Sequence, residues 1–353
     1  VGRHAATNAV SAYGKLASGK GWKIIGVLGI VSATIILGFY SVVAGWCLQY
    51  LYASVAGQLN GDSAYVSNYF ATFSGSVVMP IVWGLVFILL THLVVIRGVR
   101  NGIEKASKLF MPILFVLLLI IVIASCLLPG AGRGIEFLFK PDFSKVDSGV
   151  FLSALGQAFF SLSLGTACLC TYASYFGKQT NLVRSASQIA LIDSMIAILA
   201  GLMIFPAAFS VGVSPDSGPS LIFITLPSVF QQAFAAVPMV GYVISILFYA
   251  LLALAAITST ISMHEIGTVF FHEQLKLSRK SAAAIVTVVA AIICVFCSLS
   301  VGACDGLQLF GMSLMDFFDF LTAQIMLPVG ALLTCVYVGW VAPRKVVQHE
   351  FAS

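Results

Sequence analysis

Hydroxyl side chains within apolar stretches are the groups of this chain best suited to binding a ligand. In residues 157–175, Ser161, Ser163, Gly165 and Thr166 interrupt an apolar run near its middle. Such a pattern can let a helix unwind, which frees backbone carbonyl and amide groups to bind an ion or a zwitterion. The same hydroxyls could instead bond to the carbonyl four residues earlier or hold neighbouring helices together. Both interpretations stay open at this point.

A second hydroxyl-rich stretch covers residues 255–265. There Thr258, Ser259, Ser262 and Glu265 recur at three- and four-residue spacing, which places them on one face of a helix. Hydroxyl and carbonyl oxygens suit a hard monovalent cation such as sodium, although a hydroxyl stripe can also simply join helices. The stretch contains no H-E-x-x-H zinc motif, because the position four residues after His264 is a threonine.

Three carboxylates, those of Asp193, Asp316 and Asp319, also lie in apolar surroundings. A carboxylate at bilayer depth must face a cavity, a cation or a basic partner, or else stay protonated. Structural pairing is an adequate explanation for Asp319. Asp193 has no basic residue within two helical turns along the sequence, which favours a functional role.

The composition identifies lipid as the solvent around these groups. Of 353 residues, 60% are hydrophobic and 9% are charged, and the mean hydropathy is +1.04. A water-soluble domain of this composition would expose large apolar patches. Apolar runs of about 20 residues fit helices rather than the short alternating strands of barrels. We therefore predict an all-α polytopic protein of the lipid bilayer, with no nucleic-acid partner.

Low-charge runs predict about eight transmembrane helices. They cover residues 23–56, 77–96, 108–129, 150–176, 185–213, 239–272, 281–301 and 311–342. Several are longer than the bilayer is thick, so they must tilt, project from the membrane or break. Residues 214–236, which proline and glycine interrupt, are predicted to form a loop that folds back towards the bundle.

The basic residues are distributed asymmetrically between the connecting segments. If residues 1–22 are cytoplasmic, 15 of the 18 lysines and arginines fall on the cytoplasmic side and three on the other. The positive-inside rule then predicts a cytoplasmic loop at 1–22, a transmembrane core at 23–342 and a cytoplasmic tail at 343–353. The loop at 214–236 is extracellular in this topology.

Six segments together resemble a known transporter family. They are FFSLSLG (159–165), TYASY (171–175), SGPSLIFITLPSVF (217–230), AITSTIS (256–262), EQLKLSRK (273–280) and LMDFFDF (314–320). Their order and spacing resemble a bacterial neurotransmitter:sodium symporter over nearly the whole chain. The resemblance implies a five-plus-five inverted-repeat bundle with a broken helix near residues 161–166, and a location in the inner (plasma) membrane.

Against the family's order, the eight spans correspond to its third through tenth helices. The chain begins with Val1 rather than methionine, and we expect it to lack the family's first two helices and those after the tenth. The predicted fold is therefore part of the inverted-repeat bundle. A truncated, non-transporting fragment is accordingly one hypothesis for the chain by itself.

The resemblance implies a site for an amino acid and one or two sodium ions, with no organic cofactor. The residues expected to contact the amino acid are Ile36, Tyr40, Phe160, Ser161, Ser163, Leu164, Thr166, Ser259 and Met263. The expected sodium ligands are Ser161, Asp193, Thr258, Ser259 and the carbonyl of Ala255. The expected gate residues are Phe160 and Asp316 on the outside and Ser174, Tyr175 and Glu273 on the inside.

Two substitutions within this implied site carry predictions of their own. Thr166 stands where many relatives have a bulky apolar side chain, which predicts a roomier or more polar cavity. Asp193 stands in the place of an asparagine ligand. Its fixed negative charge lies where chloride-dependent relatives recruit an anion, so we predict that chloride is not required.

The function implied by the resemblance is sodium-coupled symport of a small, hydrophobic or aromatic amino acid by alternating access. Such transport changes no chemical bond, so the chain is not expected to be an enzyme. A membrane-embedded hydrolase is the remote alternative, but the sequence contains no convincing Ser-His-Asp or zinc arrangement for it. The oligomeric state is left open.

Overall fold

A computed structural model describes residues 1–16, 20–210, 212, 221–302, 304 and 306–351. This part of the chain is almost entirely helical. The α-helices are α1 (Gly2–Ala5), α2 (Ala9–Leu16), α3 (Lys23–Val55), α4 (Ser63–Ser74), α5 (Met79–Val95), α6 (Lys105–Cys126), α7 (Ala131–Phe139), α8 (Ser148–Ser161), α9 (Cys168–Ala173), α10 (Leu182–Ser210), α11 (Leu226–Ala233), α12 (Pro238–Gln274), α13 (Arg279–Gly302), α14 (Leu314–Asp319), α15 (Leu327–Val336) and α16 (Arg344–Phe351). Four π-helical segments (Val99–Glu104, Leu221–Thr225, Phe320–Met326, Tyr337–Val341), two 3₁₀ turns (Lys20–Trp22, Phe143–Lys145) and an antiparallel hairpin of β1 (Gln308–Leu309) and β2 (Met312–Ser313) complete it.

Six helical segments of the described residues are long and apolar enough to cross a membrane. They are Lys23–Val55, Asn101–Cys126, Leu182–Ser210, Pro238–Gln274, Arg279–Gly302 and Leu314–Val341. The other two predicted spans are short or interrupted. α5 has 17 residues and meets α4 at a bend of 75°, and the span predicted at 150–176 is divided into α8 and α9. The predicted all-α polytopic architecture is confirmed.

α3 lies at the centre of this bundle. In its most apolar window 61% of the residues are buried, the largest share of the six spans, and it packs against α2, α5, α12 and α13. Small residues permit the close crossings: a Cβ added at Gly45 would lie 2.5 Å from the amide nitrogen of Gly84 on α5. Close packing of this kind drives helix association in lipid, where the hydrophobic effect does not.

Buried polar side chains also join α5, α12 and α13. The hydroxyl oxygen of Thr287 lies 2.8 Å from both His92 Nδ1 and His264 Nε2, and the hydroxyls of Thr91 and Thr260 are 2.8 Å apart. These contacts give both histidines hydrogen-bond partners within apolar helices. Their surroundings are those of structural side chains, since neither lines the cavity described below.

Residues 1–22, predicted to form a loop, contain the helices α1 and α2 and a 3₁₀ turn. α2 packs against α3 and buries Val10 and Tyr13, and Asn8 begins it by accepting a hydrogen bond from the Ser11 amide at 3.1 Å. α16 likewise occupies the predicted tail. Helices this short give no membrane-length apolar run, and contacts with the bundle rather than their own length stabilise them.

The described part of the predicted loop at 214–236 folds back onto the bundle. The Phe223 ring is 1% exposed and contacts the rings of Trp46 and Tyr50 on α3, with centroids 5.6 and 5.1 Å apart. The hydroxyl of Tyr249 on α12 donates to the Ile222 carbonyl at 2.7 Å. Residues 214–220 of this segment lie outside the described residues.

Candidate functional site

The helical span formed by α8 and α9 breaks between Ser161 and Cys168. Within the break, φ is 52° at Ser163, 85° at Gly165 and 60° at Ala167. Left-handed backbone of this kind cannot continue a right-handed helix. The amides of Gly165 and Ala167 have no backbone hydrogen bond within the described part of the chain. The predicted interruption near residues 161–166 is therefore present, and it bares backbone groups at the middle of the span.

The break is packed tightly against α15. A Cβ added at Gly165 would lie 2.4 Å from the carbonyl oxygen of Leu327, so no side chain fits there. Glycine also tolerates the positive φ at this position. The conformation of the break is thus maintained by neighbouring backbone as well as by its own sequence.

Thr166 stabilises the break from within. Its hydroxyl donates to the Ser163 carbonyl at 2.8 Å and accepts from the Cys168 amide at 3.3 Å, and the residue is 4% exposed. The second contact satisfies one of the amides that a helix start leaves unpaired. The hydroxyl is therefore directed at the backbone of the break.

Ser161 and Asp193 bring the first predicted sodium ligands together. The Ser161 hydroxyl lies 2.9 Å from Oδ1 and 2.8 Å from Oδ2 of Asp193. The two residues stand on different helices, α8 and α10, so the tertiary fold creates the contact. It concentrates three oxygens, including a carboxylate, beside the bared backbone of the break.

A second group of oxygens lies on α12. The hydroxyls of Thr258 and Ser259 both donate to the Ala255 carbonyl, at 2.8 and 3.3 Å. This is the back-bonding that a hydroxyl stripe on a helix allows. Each hydroxyl oxygen nevertheless keeps acceptor capacity for a cation. One turn further on, Ser262 accepts a hydrogen bond from the Tyr172 hydroxyl of α9 at 2.8 Å.

The break and the α12 hydroxyls face each other across a cavity of about 690 Å³. The cavity is bounded by α3, α6, α8, α9, α10 and α12. Ten of the twelve residues predicted to bind substrate or sodium line it, namely Ile36, Tyr40, Phe160, Ser161, Ser163, Thr166, Asp193, Thr258, Ser259 and Met263. The Tyr40 hydroxyl lies next to the Ser259 side chain. Ala255 does not line the cavity; its carbonyl accepts hydrogen bonds from the Thr258 and Ser259 hydroxyls.

Leu164 differs from its prediction as a cavity residue. It lines a separate, mostly apolar cavity of about 360 Å³ with Tyr13, Cys170 and Thr334. The positive φ angles on either side of Leu164 redirect the chain, so the side chain lies on the opposite face of the break. Hydrophobic periodicity could not indicate this direction, because it assumes a continuous helix.

The predicted inner gate contains an ion pair that was not anticipated. The Tyr175 hydroxyl donates to Glu265 Oε1 at 2.9 Å, and Arg279 donates to both oxygens of Glu265, with a 3.1 Å contact from Nη1 to Oε1. Arg279 also donates to the Val95 carbonyl of α5 from Nε at 3.1 Å. Glu265 is 1% exposed, so its charge requires this partner.

The other predicted gate residues have different partners. Glu273 accepts hydrogen bonds from the hydroxyl of Thr7 at 2.6 Å and from the backbone and side chain of Asn8, both at 2.7 Å. The Tyr175 hydroxyl, predicted for the same gate, bonds to Glu265. The Ser174 hydroxyl donates to its own helix.

Asp316, predicted for the outer gate, is exposed and lies in the first turn of α14, which Ser313 caps. Its carboxylate accepts from the Ser313 hydroxyl at 2.7 Å, while its amide donates to the same hydroxyl oxygen at 3.1 Å. It does not line the cavity. The prediction that it gates the site is not tested by this geometry.

The cavity also includes residues that the sequence did not single out. Ser107 and Met111 of α6, Gln157 of α8, and Tyr172 of α9 all line it. Their helices were predicted, but nothing in an apolar run such as α6 indicates which face meets a cavity. Tyr172 lay within a segment that carried the resemblance and could have been proposed from it.

Comparison with known proteins identifies the family of the chain. Residues 65–352 match the model of the Sodium:neurotransmitter symporter family. An uncharacterized sodium-dependent transporter, YhdH of Bacillus subtilis, is 38% identical over 100% of this chain and 76% of its own length. An uncharacterized sodium-dependent transporter of Haemophilus influenzae is 34% identical over 97% of this chain and 76% of its own.

A solved structure extends the similarity to three dimensions. The crystal structure of MhsT in complex with L-phenylalanine is 38% identical to this chain and superposes with a TM-score of 0.91, covering 99% of this chain and 79% of MhsT. Sequence and fold therefore agree over essentially the same residues. The chain belongs to the sodium:neurotransmitter symporter family and is a polytopic, sodium-dependent membrane transporter.

Proposed function

We propose that the chain carries out sodium-coupled symport of a small hydrophobic or aromatic amino acid by alternating access. The observation that carries this proposal is the cavity itself, in which bared backbone of the break faces the hydroxyls of α12 across about 690 Å³. Backbone groups at a helix interruption are suited to the charged ends of a zwitterion. Apolar walls formed by Ile36, Phe160 and Met263 are suited to an apolar side chain.

Two groups of oxygens are the proposed sodium sites, for one or two ions. The first consists of the Ser161 hydroxyl and the Asp193 carboxylate, which are in contact. The second consists of the Ala255 carbonyl with the hydroxyls of Thr258 and Ser259. Both offer only oxygen ligands, which a hard cation prefers.

The Asp193 carboxylate supports the further proposal that transport does not require chloride. It supplies a fixed negative charge within the first proposed sodium site, in contact with Ser161, so no mobile anion is needed to balance the cation. Uptake should be unchanged when gluconate replaces chloride. Chloride-stimulated uptake that Asp193→Asn abolishes would contradict this proposal.

The amino acid is proposed to have a largely apolar side chain, and phenylalanine is a suitable first choice. MhsT, at 38% identity, was solved with L-phenylalanine. In this chain the Thr166 hydroxyl is bonded to backbone, which supports a roomier cavity rather than a more polar one. The small side chain leaves space for an aromatic ring beside Phe160.

Gating is proposed to involve Phe160 and Asp316 on the outer side and Ser174, Tyr175 and Glu273 on the inner side. Binding of sodium and amino acid would shift the population towards the closed outer gate, because the loaded cavity satisfies both ions and both zwitterion charges. The proposed location is the inner (plasma) membrane, with both ends of the chain in the cytoplasm. Cysteine labelling of intact cells at positions 4 and 349 would test this orientation.

Thermal unfolding of the detergent-solubilised protein tests the central proposal. Phenylalanine, leucine, tyrosine or tryptophan should raise the unfolding temperature in sodium and not in potassium, because ligands that bind the native state stabilise it. Aspartate and lysine serve as controls with charged side chains. The absence of a shift with any amino acid in sodium would count against amino-acid symport.

A further inference from the structure

The two ends of the described chain meet on one face of the bundle. Arg3 of α1 donates from Nε to Glu350 Oε2 at 2.5 Å and from Nη2 to the Glu350 carbonyl at 2.9 Å. It also donates to the Thr180 carbonyl, in the connection between α9 and α10. The Arg3 side chain is 4% exposed and that of Glu350 is 12% exposed. α16 is thereby docked on α1 in a defined orientation.

Beside this ion pair, three side chains direct ligand atoms towards one point. His4 Nδ1 lies 3.2 Å from Glu350 Oε1, and His349 Nδ1 lies 3.9 Å from the same oxygen. Each of the three residues offers one ligand atom that lies within 4.8 Å of those of the other two. Ligands held about 2.0–2.2 Å from a tetrahedral ion lie roughly 3.3–3.6 Å apart. Small rotations of the two solvent-accessible imidazoles therefore bring the set to metal-binding distances.

We propose that His4, His349 and Glu350 form a binding site for a divalent transition-metal ion of the zinc class. Two imidazole nitrogens and one carboxylate oxygen, with a fourth position for water, are a ligand set that such ions take. Arg3 holds the second carboxylate oxygen and orients the ligand, as outer hydrogen bonds do in metal sites. Its positive charge lowers the affinity, so binding is reversible.

A bound ion would connect two segments that are far apart in sequence. α1 packs directly on the half-helix after the break, where a Cβ added at Gly2 would lie 1.9 Å from the Cys170 carbonyl oxygen. The ion would tie α1, and with it α9, to α16. This role does not depend on the identity of the transported substrate.

Cobalt(II) titration of the tag-free full chain in detergent tests the site. We expect saturable binding of one ion, a visible spectrum without the thiolate charge-transfer band, and a rise in unfolding temperature. His4→Ala and His349→Ala should each weaken binding by at least about tenfold and abolish the rise. His272→Ala is the matched control, because His272 is an exposed histidine that bonds to the Leu277 carbonyl outside the cluster.

The His349→Ala variant keeps the test decisive. The His349 side chain is 72% exposed, so its removal should leave the metal-free unfolding temperature unchanged. Absence of saturable binding in the parent chain would overturn the proposal. Binding that persists undiminished in His349→Ala would overturn it too, as would a thiolate spectrum, which would assign the ion to cysteine.

Discussion

The cavity has two walls of different construction. On one side, 61% and 44% of the residues are buried in the most apolar 18-residue stretches of α3 and α12. The α12 hydroxyls bond within a continuous helix. On the other side, only 11% of the residues in the corresponding stretch of α10 are buried, and α8 has no buried residue. Regions with few buried contacts are the ones that open most easily. The comparison indicates that the α3–α12 wall is the fixed part of the site and the α8–α10 wall its adaptable part.

The largest expected effect belongs to the fixed wall. Arg279→Met leaves the Glu265 carboxylate, which is 1% exposed, without its cationic partner. Breaking a buried ion pair in this way costs about 3–5 kcal/mol of stability. We expect a marked fall in the unfolding temperature, measured by tryptophan fluorescence in detergent.

Two further variants sharpen this result. Lys108→Met removes an ion pair whose side chains are 75% and 48% exposed, and it should change stability by less than about 0.5 kcal/mol. The double variant Glu265→Leu with Arg279→Met should recover much of the loss, because an apolar pair has no unpaired charge. Equal effects of Arg279→Met and Lys108→Met would show that burial of the Glu265–Arg279 pair does not make it more important for stability than an exposed pair.

The second prediction concerns the adaptable wall and separates ligand binding from folding. Asp193→Ala should abolish the stabilisation by sodium with phenylalanine, which amounts to about 2.7 kcal/mol at ligand concentrations 100 times Kd. Stability without sodium should change by less than about 0.5 kcal/mol, because the Ser161–Asp193 contact is solvent-accessible.

Ser194→Ala is the control for Asp193→Ala, since it lies next in sequence on the same helix and is exposed. It should keep the full sodium response. If Asp193→Ala unfolds the protein without sodium, the carboxylate is structural and the α8–α10 wall is less adaptable than its burial indicates. Differential scanning fluorimetry with and without sodium makes both measurements.

The sequence predicted the fold well where an apolar run was long enough to cross a membrane. Apolar runs located the membrane-spanning helices, and the resemblance placed the break correctly. The short helices α1, α2 and α16 were missed, because their amphipathic turns resemble surface loops when only composition is considered. Their positions depend on tertiary contacts, such as the bonds from Thr7 and Asn8 to Glu273, which have no local signature.

Within the site, the sequence indicated which residue types take part better than it indicated the direction in which each side chain points. Ser161 and Asp193 were selected because polar groups are rare in apolar helices, and the fold does bring them together. The direction of Leu164 depends on positive φ angles that no periodicity encodes. The Glu265–Arg279 pair could have been found, since a carboxylate within a span requires a partner and Arg279 is the first arginine after the following turn.

The third prediction compares two glycines on the broken span. Gly165→Ala introduces a Cβ 2.4 Å from the Leu327 carbonyl at a φ of 85°, and strain of this kind costs about 1–3 kcal/mol. Gly156→Ala, in regular helix with the nearest atom 3.7 Å away, should stabilise by about 0.5–1 kcal/mol. Circular dichroism melts would show opposite shifts. Shifts of the same sign would mean that the break is not held in this conformation.

The smallest expected effect distinguishes the two roles open to Thr166. Thr166→Val keeps the shape of the side chain and removes the hydroxyl that bonds to Ser163 and Cys168, which should cost about 0.5–1.5 kcal/mol. Thr166→Ser keeps the hydroxyl and should stay near the parent in stability. If the hydroxyl instead contacts the amino acid, Thr166→Val should weaken phenylalanine binding in sodium while leaving the ligand-free unfolding temperature unchanged. The alternative outcome is that Thr166→Val lowers the ligand-free stability while the relative affinities for phenylalanine, leucine and tyrosine change little. That result would identify Thr166 as a support of the break, because a change in the backbone of the adaptable wall affects all apolar substrates alike.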